Sequence, residues 1–214
     1  MFVLPEVVLQ TALVKGIAEL RAKPSILDEI FCQYVSETEL QYIYGQEYLD
    51  GIKEFFTKTD IPVVQAFSFD PTKIPGISVH LASEQEDESK ALLGDYFGQD
   101  DVGELLTGVM TVNLDIGIHA DRSKDHVLWL YYMVSYILYK QKRLIRKMGL
   151  QNITFSASDY NKDSQYMAEN IWSRWMRLRC TVQNYIEGIE AIEPDTIDLE
   201  VRFESSAEGE VEYA

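Results

Sequence analysis

The chain has 214 residues, 46% of them apolar, which is ample for the core of one domain; a single domain over residues 1–204 with an acidic tail at 205–214 is expected. Its 35 acids against 19 bases give a formal charge of −16, which argues against a nucleic-acid groove or an anionic membrane surface as partner. Histidines stand alone at 80, 119 and 126, and the cysteines at 32 and 180 form no metal spacing, so no metal or other cofactor is expected and two lone thiols suit a reducing compartment.

The opening MFVLPEVVLQTALVKG lacks a basic leader and a long apolar core, so it does not read as a signal peptide. Ser135 and Lys140 interrupt the most apolar stretch before it reaches the roughly 18–20 residues of a membrane span.

Residues 1–58 read as a helical segment. Pro5 suits a first helical turn, and Val8, Ala12, Leu13, Gly16, Ile17 and Leu20 continue at helical spacing to about Ala22, where Lys23 and Pro24 stop the helix. Ser25 to Tyr34 reads as a short second helix, with Ser25 and Asp28 as a weak capping box. A third helix is expected from Ser36 through Leu40, Ile43, Tyr44, Tyr48, Ile52 and Phe55 to about Thr57, its tyrosines half buried on an amphipathic face.

From Ile61 the apolar period changes to two. Strands are expected over 61–69 and around Ile77, Val79 and Leu81, with His80 on the polar face as a plain exposed residue. Residues 84–103 have loop composition, and the acid run Glu84, Glu86, Asp87 and Glu88 lacks the ladder of a calcium loop, so it reads as a solvated loop.

The stretch that organises the rest is Gly108 to His119 followed by Lys124 to Gly149. Met110, Val112, Leu114, Ile116 and Ile118 alternate with polar residues, as in a strand with one buried face. Ser123 or Asp125 caps the following helix, whose stripe Val127, Leu130, Val134, Ile137, Leu144 and Met148 must be buried; Gly149 sits where a left-handed cap is easiest. The first half of this helix is apolar nearly all round. It requires a sheet on one side and another layer on the other, for which a second copy of the chain is one candidate.

Gln151 to Tyr160 alternates again, 159–170 is polar and reads as a loop or a single helical turn, and Trp172 to Tyr185 is a long strand in which Met176, Leu178, Cys180 and Val182 oppose Trp175, Arg177, Arg179 and Thr181. Cys180 then points inward and is inert. Ile197, Leu199, Val201 and Phe203 give a last strand. The fold class is therefore α+β: a mostly antiparallel twisted sheet of five to six strands over residues 59–204, packed on one long helix.

Two basic clusters stand out in so acidic a chain. Lys140, Arg143, Arg146 and Lys147 crowd the end of the long helix, where cations complement the helix dipole but also form a patch for an acidic neighbour. Arg174, Trp175, Arg177 and Arg179 have the composition of an interface anchor, although cross-strand pairing with Glu200 and Glu204 accounts for them equally well. A metal or hydrolytic centre on Asp115, His119, Asp121 and His126 is a minor alternative: Asp115 and His119 lie about 13 Å apart along a strand. Phosphate cradles, nucleophile elbows and paired-cysteine sites are missing from the sequence, and no catalysis is expected.

The order of elements, with a long helix ending in KMGL and a final strand WSRWMRLRCTV, resembles the tail-terminator or tail-completion proteins of long-tailed bacteriophages and related head-to-tail joining proteins. The likeness spans roughly residues 60–190 by element order and pattern alone. It implies a virion protein assembled in the host cytoplasm as a ring, usually of six copies, that caps the tail tube and joins it to the head connector. DNA would pass through without specific binding, with Glu84, Glu86, Asp87 and Glu88 as candidate lumen-facing acids. The helices before residue 60 exceed those of the smallest members, which leaves open a neck or sheath-contacting role in a contractile tail. The competing reading is a cytoplasmic protein-binding adaptor without catalysis, docking through the Tyr-rich third helix or the Trp/Arg strand.

Overall fold

The computed structural model describes residues 2–32, 35–45, 47–65, 74–86, 92–100, 103–121, 123–159 and 171–189. Its elements run α1 (Pro5–Ala22), α2 (Ile26–Cys32), α3 (Glu37–Tyr44), α4 (Tyr48–Lys58), β1 (Val63–Gln65), β2 (Gly76–Glu86), β3 (Leu92–Asp100), β4 (Gly103–Ala120), α5 (Lys124–Lys147), β5 (Leu150–Asp159) and β6 (Trp172–Ile189). The strands form one mixed sheet in the order β1-β2-β4-β6-β5, with β3 paired to the start of β4. Among the described strands only the β1–β2 pair is parallel. The α+β class expected from the sequence is what the chain adopts.

β4 is the spine of the sheet. Val112, Leu114, Ile116, Ile118 and Ala120 are all fully buried, and they oppose Ile77 and Val79 on β2 and Met176, Leu178 and Cys180 on β6. This apolar face lies under α1 and α5, so two helices share the task assigned to one. Gly16 permits their close approach, because a Cβ there would collide with the side chain of Ile137. Ser123 caps α5 by accepting the Asp125 N–H at 3.1 Å, and Gly149 at φ +105° is the left-handed residue expected after it.

The second layer over α5 comes from the chain itself. Phe31 of α2 meets Tyr132 edge-on, Phe55 of α4 meets Trp129, and the Trp129 indole donates to the Tyr48 hydroxyl at 2.9 Å. The N-terminal helices therefore complete the core.

Three expectations change. The third helix is broken at Gly45, whose φ of +104° ends α3 one turn before α4 begins. The break shifts the helical phase, leaving Tyr42, Ile43 and Tyr44 exposed while Tyr48 stays with the core. The short second helix starts without a side-chain box, since Asp28 N–H bonds the Ser25 carbonyl.

Of the expected loop at 84–103, the described residues 84–86, 92–100 and 103 lie in strands instead. β2 runs to Glu86, β3 follows, and β4 starts at Gly103, extending the sheet as a ribbon. Backbone pairing along β4 holds these residues in a strand despite their loop-like composition. The expected strand at 197–203, residues 66–69 of the expected first strand, the 160–170 loop and the 205–214 tail lie outside the described residues, as do Asp87 and Glu88.

Candidate functional site

Among the described residues the helices pack on one side of the sheet, and the other side carries mostly polar side chains. Along it, register aligns Ser78, Gly117 and Trp175, then His80, Asp115 and Arg177, then Asn113 and Arg179. The Arg177 guanidinium grips Asp115 with two hydrogen bonds, at 2.7 and 2.9 Å. This internal pairing explains Arg177 without Glu200 or Glu204. It also fixes Asp115, which was one of the four residues of the metal reading. His126, another of the four, stacks on Phe55 at 4.5 Å, and among the described residues no three of His, Cys, Asp and Glu come together as a metal cluster.

Arg179 lies on the same face as Trp175 and Arg177, as alternation requires. Arg174 does not: it points to the helix side, its guanidinium 4.8 Å from the centre of the Tyr131 ring.

Sequence reasoning missed a chain of four polar side chains. His80 Nε2 lies 2.7 Å from Ser78 Oγ, which lies 3.1 Å from His119 Nε2, whose Nδ1 lies 2.8 Å from Ser173 Oγ. The Ser78 hydroxyl can donate to one ring and accept from the other, and the Ser173 hydroxyl can do either toward His119, so the chain is satisfied with both imidazoles neutral. Trp175 lies against both rings, at 5.1 Å from His80 and 5.6 Å from His119. His119 is 1% exposed, and burial, reinforced by His80, pushes its pKa down to about 4. Burial also lowers His80, which is half-buried and not the plain exposed residue expected. Gly117 makes the arrangement possible: a Cβ there would sit 2.5 Å from both His119 Nε2 and Ser78 Oγ. A lone histidine on a strand gives no hint of a serine 41 positions earlier.

The basic end of α5 is partly used within the chain. Lys140 bonds Glu19 of α1 at 2.6 Å, and Lys142 sits over the Phe155 ring at 5.7 Å. Arg143, Arg146 and Lys147 are exposed and have no ion pair among the described residues. Glu84 and Glu86 are exposed near the end of β2.

The sheet has two unequal margins. At β1, the Gln10 side chain caps the Val63 carbonyl at 2.9 Å. At β5, no described strand pairs with the outer edge. Edge strands are normally defended by charge, proline or a bulge. β5 reads LQNITFSASD: its one irregularity lies between Gln151 and Thr154, where Asn152 has φ +50°, and Thr154 to Ser158 follow without charge or proline. Ala157 and Ser158 are exposed beside Thr154 and Ser156. This signal was present in the sequence, but its meaning depended on β5 being outermost.

Two hollows border this margin. On the polar side, an open depression of about 580 Å³ is lined by Asp115, Ser156, Ser158, Trp175 and Arg177. On the helix side, a half-open cavity of about 100 Å³ lies between α5 and β5. The Ser135 hydroxyl on its wall is buried and has no hydrogen-bond partner among the described residues. Cys180 is buried, its thiol pushed up to about 11 by desolvation, in keeping with an inert core residue.

Among the described residues no helix is long and apolar enough to cross a membrane. In comparison with known proteins, the chain matches no protein-family model and no curated sequence.

Proposed function

We propose that this chain is a structural virion subunit: a ring-forming tail terminator or neck protein that caps the tail tube of a long-tailed phage and joins it to the head connector. The observation that carries the reading is the outer edge of β5 from Thr154 to Ser158, free of charge, proline and bulge, a row of backbone donors and acceptors that a neighbouring subunit is suited to satisfy. Head-to-tail use of such an edge generates a ring when the rotation between copies closes, with six copies favoured by the resemblance. The charge of −16 suits a wall past which DNA slides, with Glu84 and Glu86 as candidates to face it. Exposed Arg143, Arg146 and Lys147 are suited to an acidic surface on the next copy, the tube, the sheath or the connector.

Solution mass and negative-stain imaging, alone and with tail tubes, test the proposal. Rings on tube ends are the expected result, and a strict monomer that leaves tubes uncapped refutes it. The adaptor reading draws on a different surface, Tyr42, Ile43 and Tyr44 of α3, which are 92%, 62% and 55% exposed. It predicts that Tyr42→Ala with Tyr44→Ala abolishes one binary interaction without changing oligomeric state.

A further inference from the structure

The cavity beside Ser135 adds a feature that a bare edge strand does not need. Tyr131, Ser135 and Tyr139 of α5 form one wall, Phe155 and Ala157 of β5 the other, and Met176 the floor. Its mouth lies at the sheet margin, where Tyr139 is 66% exposed and stacks edge-on against Phe155 at 5.5 Å. At about 100 Å³ it has room for roughly three waters or the end of one side chain. A buried hydroxyl left unpaired is destabilising, so Ser135 favours an occupant that brings a polar tip.

We infer that this cavity receives a side chain from a second copy of the chain: an extended segment of the neighbour adds to the outer edge of β5 and sends one hydroxyl- or amide-tipped side chain past the Tyr139–Phe155 pair to the Ser135 hydroxyl. This deepens the proposed ring and rests on it. Strand addition sends alternate side chains to the two faces of the sheet, so one of them is directed toward the α5 side where the cavity opens. Charge selects the occupant. Lys142 over Phe155 sets a cation beside the cavity, exposed Arg143, Arg146 and Lys147 continue the positive charge along the same helix, and a chain with 35 acids and 19 bases presents a predominantly acidic surface to it. Backbone pairing supplies adhesion, and the cavity sets the register, because a slip of one residue turns the inserted side chain to the wrong face.

Two variants of the full-length chain separate this inference from the ring itself, read by native mass spectrometry for assembly and by thermal melting for the fold. Thr154→Lys with Ser158→Lys charges the edge on the face away from the cavity; lost assembly is expected with the fold intact and Tm lowered by no more than a few degrees, since position 154 stands opposite Arg179, and wild-type assembly overturns both the ring through β5 and the cavity's role. Ser135→Leu fills the cavity; Tm is expected to hold or rise while assembly weakens about tenfold or more. If Ser135→Leu assembles like wild type while the lysine pair does not, the edge stands and the cavity inference falls. Should Ser135→Leu fail to fold, Ser135→Ala decides: a several-fold loss of assembly with the fold intact is expected, and wild-type assembly overturns the inference.

Discussion

Acidification provides a quantitative test of the polar face of the sheet. His119 has an ordinary pKa near 6.5 when unfolded and about 4 when folded, so between these values the unfolded chain binds the extra proton and the folded chain does not. Stability from this group is therefore fully present above about pH 6.5 and is lost as pH falls toward 4. The linkage relation gives a loss of about 2 kcal/mol on going from pH 7 to pH 5, and about 3 kcal/mol once pH is below 4. His80, also lowered by burial, adds a loss of the same sign. Urea unfolding at pH 7, 6 and 5 measures the slope, and His119→Gln isolates it, because carboxylates elsewhere contribute equally to both proteins. The wild-type chain should lose about 2 kcal/mol more than His119→Gln over this range. Equal slopes, or a His119 ring that titrates near 6.5 by NMR in the folded chain, would refute the reasoning.

Gly117→Ala drives a methyl group into His119 Nε2 and Ser78 Oγ; a loss of about 1–3 kcal/mol in chemical denaturation is expected, with the His119 resonance moving toward a normal titration. Gly16→Ala forces α1 away from Ile137 and should cost a similar amount, about 1–3 kcal/mol, by the same assay. Asp115→Asn leaves Arg177 more than half exposed to water, so the loss should stay within about 1 kcal/mol; a larger value would mean that the pair organises its surroundings. Toward a thiol reagent, half-buried Cys32 should react first in the native protein and Cys180 only on unfolding, given its burial and a pKa of about 11.

Much of this fold was legible because the core follows simple periods. The two-residue alternation through Val112 to Ile118 and the stripe from Val127 to Leu144 fixed β4 and α5 before any packing was known. What escaped has identifiable causes. β3 and the end of β2 are held by backbone pairing, which leaves little apolar alternation to read. Gly45 lies inside an otherwise continuous helical pattern, and composition alone does not distinguish a tolerated glycine from a break. The polar chain joins residues from β2, β4 and β6, so it exists only once register is set. Trp175 and Arg177 were recognisable as companions on one face, whereas Arg174 was grouped with them by composition and separated by alternation. Lys140 belonged to a basic cluster in the sequence and to an internal ion pair with Glu19 in the fold, since nothing local announces a partner 121 positions away.

Hydrogen exchange on β5, compared between the free subunit and its assembled form, bears most directly on the proposed assembly. If another copy completes the sheet, the outward-facing amides among Thr154 to Ser158 exchange quickly in the free chain and become protected on assembly, while β1 changes little. Equal exchange of β5 in both forms, with protection gained on another surface, would contradict it.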